Sequence, residues 1–372
     1  MESVSLMNYK NFDHTLERLN LFLTGKEYPA EQEIPIKSQF YREARPAKDL
    51  RVIRNTGRVA PAEMAGKDYQ EVAKIGDSFG DSWETHWFRI EIEVPEAWQT
   101  EEVHFLWNGK CEASIYSIDG KRLLQAFTEN VREQYVLRRP GVKDDFADPA
   151  VNFSGSPTHI TYLLEMACNE MFGNFVSGFL SRVDMKKQFH LEKCEVAIFN
   201  RTAWNLYYNF EVMRDGAAKF EKTQSARAYD CLYAANEIMN ECYPRYDKEY
   251  PGMIVRAEKK TAEFISGRKN HPGQHQVFAV GHCHIDTAWL WPYAETKRKI
   301  ARSWGTQLEL MRHYKDFKFC ASQMGQYYWL RKHYPEVFAR VQEAVKAGRF
   351  EVVGGSWVEL DGNVPSGESM AR

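Results

Sequence analysis

Short apolar runs alternating with helix-spaced stretches between Val277 and Val353 constrain the fold of this 372-residue chain more than any other feature. Val277 to Val280 reads as a buried strand, Ala294 to about Tyr314 as a helix, and Phe317 to Ser322 as a second strand, with a short helical piece to His333. Pro335 opens a further helix in which Val337, Phe338, Val341, Ala344 and Val345 keep helical spacing. Gly348 stands at its carboxyl cap, and Phe350 to Val353 forms a third strand. This order brings the chain back to the same end each time, which means parallel strands joined by right-handed crossovers. The carboxyl ends of such strands form an open rim above a buried sheet, and chemistry collects there.

Two clusters fall on that rim. His282, His284 and Asp286 alternate directly after the first run, placing two imidazoles and a carboxylate on one side of an extended segment, about two residue rises apart. Donors in that pattern suit a divalent ion of the zinc or cobalt type. A lone histidine would read as a capping or packing residue; three such groups followed by Trp289 and Trp291 read as a metal or catalytic site. After the third run, the stretch 354–363 turns at two glycines and brings Asp361 to the same rim, 75 residues beyond Asp286. Without the first cluster, Asp361 would be an ordinary Asp-Gly turn residue.

Charge and composition exclude several functions. With 49 basic and 51 acidic residues, no long-range field favours nucleic acid or an anionic membrane. Short runs such as Lys297-Arg298-Lys299 read as solvated helix faces. No stretch approaches the roughly 18–20 apolar residues of a membrane helix, and the first ten residues lack the apolar core of a secretory signal. Seven scattered cysteines without a Cys-x-x-Cys pair read as reduced thiols. A cytoplasmic location is expected, with vacuolar or lysosomal delivery left open.

Upstream, the pattern divides into three. Residues 1–75 read as an extension, with one amphipathic helix from Phe12 to Leu23 and an extended arm from Pro35 to Pro61. Residues 76–200 have period two: Phe88, Ile90, Ile92 and Val94; Val103, Phe105 and Trp107; Ile160 to Cys168; and Cys194 to Ile198. With an Asp119-Gly120 turn, they imply a β-sandwich. Such a sandwich either binds carbohydrate through Trp83, Trp87 or Trp107 or, the favoured reading, braces the catalytic domain. Residues 201–270 read as a helical linker, with one helical face from Ala217 to Cys242; residues 271–372 begin the α/β domain.

The stretches 281–292, 301–304, 354–363 and 365–368 strongly resemble glycoside hydrolase family 38, the retaining α-mannosidases, and its cytosolic and vacuolar branch most closely. Residues 76–80 and 87–89 resemble the sandwich domain of that branch. The resemblance implies a multidomain chain: an antiparallel β-sandwich, a helical linker, and the first strands of an α/β barrel-type catalytic domain. It implies one divalent ion, zinc or cobalt, held by His284, Asp286 and Asp361. Asp361 would also be the nucleophile, Trp289 the platform beneath a mannose ring, and His282 a support behind the ligands. The substrates would be terminal α-mannosyl residues of free oligosaccharides or glycans.

In the family, a further histidine ligand and the acid/base carboxylate lie well downstream, beyond position 372. The expectation for residues 1–372 alone is therefore an unclosed barrel, a defective metal site and little turnover, with homo-oligomerisation of a full-length form left open. Two other readings compete: a metal-dependent amidohydrolase, which would give no reason for a carboxylate after the third strand, and a non-catalytic carbohydrate-binding or regulatory isoform.

Overall fold

The computed structural model describes residues 2–25, 35–140, 146–147, 157–178, 181–223, 225–242, 250–267, 276–360 and 362–371. In chain order, α1 (Glu2–Thr24) precedes β1 (Tyr41–Pro46), β2 (Asp49–Ile53), α2 (Pro61–Ala65), β3 (Glu71–Val72) and β4 (Ser78–Phe79). The long strand β5 (Thr85–Val94) leads to β6 (Val103–Asn108), β7 (Glu112–Ser117), β8 (Leu123–Phe127) and β9 (Gln134–Arg139). Then come β10 (Phe146–Ala147), β11 (Thr158–Ala167), β12 (Phe189–His190) and β13 (Lys193–Phe199). Three helices follow, α3 (Arg201–Phe220), α4 (Ser225–Asn240) and α5 (Tyr250–Gly267). The last part is β14 (Gly281–His282), α6 (Tyr293–His313), β15 (Phe319–Ala321), α7 (Met324–His333), α8 (Pro335–Lys346), β16 (Phe350–Val352) and α9 (Gly367–Ala371).

The chain divides into two units, residues 1–44 with 198–276, and residues 45–197 with 277–372. The first is helical. In α3, Ala203, Leu206, Phe210, Met213 and Ala217 are buried at alternating spacings of three and four, the stripe of a packed helix. Asn200 caps α3 by accepting from the Ala203 N–H, at 3.2 Å. Leu19, Phe22 and Leu23 of α1 share its core, and the Phe22 and Phe210 rings meet edge to face at 5.3 Å. Residues 1–75 are thus no simple extension: α1 belongs to a helical core, and the stretch read as an extended arm carries β1 and β2. Residues 201–270 are likewise a packed helical body, and the helix read from Ala217 to Cys242 breaks between Phe220 and Ser225.

The second unit holds the sandwich. One sheet has the order β3-β2-β5-β11-β7-β8, the other β1-β13-β6-β9-β10. Aromatic side chains bridge them: Phe88 meets Trp107 at 5.0 Å, and Tyr162 meets Tyr135 at 6.1 Å. Trp87 and Trp107 are fully buried, so neither is available to a sugar as the sequence had allowed; both fill core. Trp87 shows why. Period two holds at the far end of β5, but from Thr85 to Phe88 both faces are covered, and Trp87 lies in a cluster with Ile300, Trp304 and Leu308 of α6. The outer face of the sandwich is the bed on which α6 lies. Gly305 permits the approach, since a Cβ there would stand 2.8 Å from Leu123 Cδ2.

The same contact corrects the charged run. Arg298 and Lys299 are 4–5% exposed, not solvated. Together with Arg302, they meet Glu112, Glu165 and Glu295 in one network, which Arg58 joins at 3.6 Å from Glu295. Arg298 donates to Glu165 at 2.8 Å and to Thr85 Oγ1 at 2.9 Å, and it pairs with Glu295. Lys299 donates to Glu112 at 2.6 Å, and Arg302 donates to Glu112 at 3.0 Å and to Glu295 at 3.3 Å. Burial works to raise the Glu295 pKa, but the guanidiniums of Arg298 and Arg302, with Arg58 adding to them, outweigh it and hold the carboxyl at about 2.

The parallel sheet runs β14-β15-β16, with Gly281 opposite Phe319 and Phe319 opposite Phe350. Helices α6, α7 and α8, the third strand and the left-handed Gly348 after α8 lie where the periodicity puts them. The first strand does not. Val277, Phe278 and Val280 are 58–86% exposed, and only Gly281 and His282 pair. The cause is position: β14 is an edge strand with one neighbour, so the run is not buried on both faces. Three strands form an open sheet, and no closed barrel occurs among the described residues.

Candidate active site

The ends of the three parallel strands converge on one carboxylate, that of Glu359. His284 follows β14, Ser322 follows β15, and Glu359 lies on the segment after β16. His284 Nδ1 and Glu359 Oε2 share a short hydrogen bond, and Ser322 Oγ donates to Glu359 Oε1. His282 Nε2 is 3.8 Å from Glu359 Oε1. Asp286 Oδ1 stands 3.4 Å from His284 Nε2. Burial alone would raise the Glu359 pKa, but the bonds from Ser322 and His284 and the nearby imidazole charges hold it below the ordinary carboxylate value. An ionised Glu359 can only accept, so the Nδ1–H of His284 donates to it. That leaves His284 Nε2 facing Asp286, to which it donates when protonated and beside which it can offer a lone pair to a metal ion when neutral.

Burial would lower the His284 pKa, yet Glu359 and Asp286 together raise it above its ordinary value. Two carboxylates around one imidazole make a site that attracts a cation, whether a proton or a metal. A divalent ion with bonds of about 2.1 Å in tetrahedral array leaves neighbouring donors roughly 3.4 Å apart. The His284 Nε2 to Asp286 Oδ1 distance is 3.4 Å, so this pair fits two corners of such a shell. Among the described residues, no group of three His, Cys, Asp or Glu closes around one point. Asp361, the expected third ligand and nucleophile, lies outside the described residues.

His284 and Asp286 open onto a cleft of about 420 Å³, whose opposite wall includes Thr128, Met171 and Phe172 of the sandwich. Trp289, 36% exposed, donates its indole N–H to the Phe172 carbonyl at 3.2 Å. Gln323 Nε2 and Gln326 Nε2 donate to the Ile285 carbonyl at 2.9 and 2.8 Å, fixing the backbone between His284 and Asp286.

Sequence reasoning passed over Glu359, Ser322 and Phe172. The first two carried a usable signal, since each closely follows a strand end on the rim. Phe172 carried none, because its place depends on packing between segments more than 100 residues apart.

Residues 274–372 match the glycosyl hydrolases family 38 N-terminal domain, and residues 46–197 match the α-mannosidase jelly roll domain. The chain is 35% identical to human alpha-mannosidase 2C1 over 98% of this chain and 33% of that protein. It is 35% identical to Dictyostelium discoideum alpha-mannosidase G over 98% of this chain and 32% of that protein. It is also 35% identical to the Saccharomyces cerevisiae alpha-mannosidase, over 81% and 27%. Among solved structures, a Bacteroides uniformis β-glucuronidase covers 42% of this chain and 17% of that one with 11% identity and a TM-score of 0.27, too slight a likeness to carry an argument. The chain spans about a third of the length of the curated relatives it matches. With a jelly roll braced against a parallel sheet whose strand ends gather His282, His284, Asp286 and Glu359, the chain belongs to glycosyl hydrolase family 38, the family of the α-mannosidases.

Proposed function

We propose that this chain carries the sandwich and the first strands of a barrel-type catalytic domain of a retaining exo-α-mannosidase, acting on terminal α-mannosyl residues of free oligosaccharides or glycans. The observation that supports this best is the meeting of three consecutive strand ends at Glu359, beside His284, within the segment that matches the family 38 domain.

The chemistry asks for a carboxylate that attacks the anomeric carbon and forms a covalent glycosyl-enzyme, with a second group acting as acid and then base. Asp361 is the nucleophile in this reading, and it must be ionised to attack. His284, Asp286 and Asp361 would hold one divalent ion, zinc in preference to cobalt, which when bound supplies electrostatic stabilisation and a template for sugar hydroxyls. Glu359 keeps His284 in the tautomer that presents Nε2, and His282 stands 3.8 Å from the same carboxylate. Trp289 offers its ring face to the pyranose. A cytoplasmic setting belongs to the same reading and rests on seven cysteines that are all free.

The test is to follow, by proton NMR, the anomer first released from an α-mannosyl oligosaccharide by the protein isolated from its own cells. α-Mannose first, lost on chelation and restored by zinc or cobalt, is the expected result. β-Mannose first would refute retention, and full activity in chelator would refute the metal.

A further inference from the structure

The cleft at His284 and Asp286 does not end there. A second cleft of about 570 Å³ lies among the sandwich loops and shares with it the wall formed by Val131, Met171 and Phe172. Each is in the roughly 300–1,000 Å³ range of small-ligand sites. A single sugar needs only the first.

The shared wall is apolar and turned outward: Val131 is 65%, Met171 44% and Phe172 58% exposed, and Val176 in the second cleft is 51% exposed. Glu129 and Lys187, paired with Lys110 and Glu170, line the second cleft and bring charged acceptors and donors to it. Apolar surface beside hydrogen-bonding groups matches a pyranose, which has a C–H face and a hydroxyl edge.

The loop is also held in place. Three consecutive backbone carbonyls accept bonds from the parallel-sheet part: Glu170 and Met171 from Lys299 Nζ, at 3.3 and 2.9 Å, and Phe172 from the Trp289 indole, at 3.2 Å. Gly173 follows at φ +102, with space for a Cβ only 3.3 Å from the Leu290 carbonyl oxygen. A loop fixed in this way is preorganised for a ligand and loses little freedom on binding.

We infer that the sandwich loop 170–173, with Val131 facing it, forms a subsite for the leaving-group saccharide, the second and third sugar units of an α-mannosyl oligosaccharide. The inference rests on the α-mannosidase reading. An exo-enzyme encloses the terminal sugar, so the rest of the substrate leaves along a groove continuous with the site, and this groove is continuous with it. Phe172 is then a specificity-determining residue for substrate length.

The test is calorimetric titration of the protein isolated from its own cells with methyl α-mannoside and with a thio-linked α-mannotriose, which resists hydrolysis. The triose is expected to bind at least about tenfold tighter. Val176→Asn, and Lys187→Met as a second variant, both at residues that line the second cleft and not the first, should remove that advantage while leaving methyl α-mannoside affinity unchanged. Equal affinity of the wild-type protein for both ligands would overturn the subsite and leave the α-mannosidase reading intact. An equal loss for both ligands in the variants would also overturn it, by showing a general structural role. Binding of neither mannoside would refute the α-mannosidase reading, and the subsite with it.

Discussion

Lys299 Nζ stands 2.6 Å from Glu112 Oε2, joining the helix after the first parallel strand to a strand of the sandwich 187 residues earlier. The same ammonium donates to two carbonyls of the loop 170–171 and lies 4.6 Å over the Trp291 ring. Burial lowers the Lys299 pKa, and Glu112 works against that shift. A charge so enclosed is kept by its partners. Lys299→Met therefore leaves the buried Glu112 carboxylate with Arg302 but without its ammonium partner, and a loss on the order of 3 kcal/mol is expected. Urea unfolding would measure it. A change below about 0.5 kcal/mol would mean that the network relaxes freely.

The turn between β7 and β8 makes a separate prediction. Gly120 has φ +66, and a Cβ there would lie 2.3 Å from the Pro61 carbonyl oxygen. Asp119 shapes the turn by accepting from Ser117 Oγ and the Lys121 N–H, at 2.6 and 3.0 Å. Gly57 has the same φ but nothing within 4 Å. Gly120→Ala should cost about 2 kcal/mol or more, and Gly57→Ala about 1 kcal/mol, the strain of the left-handed backbone alone. Equal shifts in the two melting temperatures would remove the backbone clash from the account.

That pair also shows what was legible in the sequence. Asp119-Gly120 announced its turn because turn chemistry is local, and α6 and α8 announced themselves because periodicity is local. What covers a face is not local. Lys297-Arg298-Lys299 looked like a solvated run, yet the sandwich carboxylates of Glu112 and Glu165 bury its last two residues. Trp87 looked available to a sugar until α6 closed over it. At the site, the alternation of His282, His284 and Asp286 was plain in sequence. The role of Glu359 was not, because its bond to His284 requires the first and third parallel strands to flank the second.

Stability should fall in acid in two stages. Burial pushes the His86 pKa down to about 4, with the Arg54 charge acting the same way. Burial also takes His313 to about 3, helped by the Arg139 and Arg312 charges. Unfolded, each takes a proton near its ordinary value of 6.5. Between that pH and the folded values, the unfolded chain binds more protons, so acid favours unfolding. Glu295 adds a second loss from its ordinary 4.5 down to about 2, as its bonds to arginine are protonated away. Urea midpoints should decline below about pH 6.5 and steepen below about 4.5. A His86→Gln variant should flatten the first stage; an unchanged slope would clear His86.

The last prediction separates the two partners of His284. If Glu359 fixes the tautomer and Asp286 shares the ion, then His284→Ala and Asp286→Ala each remove a donor and should leave the full-length protein with little metal after dialysis. Glu359→Gln keeps every donor in place. It changes only the group opposite Nδ1, which can then accept through its amide oxygen or donate through its nitrogen. Orienting partners of this kind are worth about 10- to 100-fold in metal affinity. Zinc titration against a competing chelator should therefore rank the proteins as wild type, then Glu359→Gln, then the two alanine variants. A Glu359→Gln affinity equal to wild type would show that His284 presents Nε2 without help. An affinity as low as that of His284→Ala would place Glu359 among the ligands themselves.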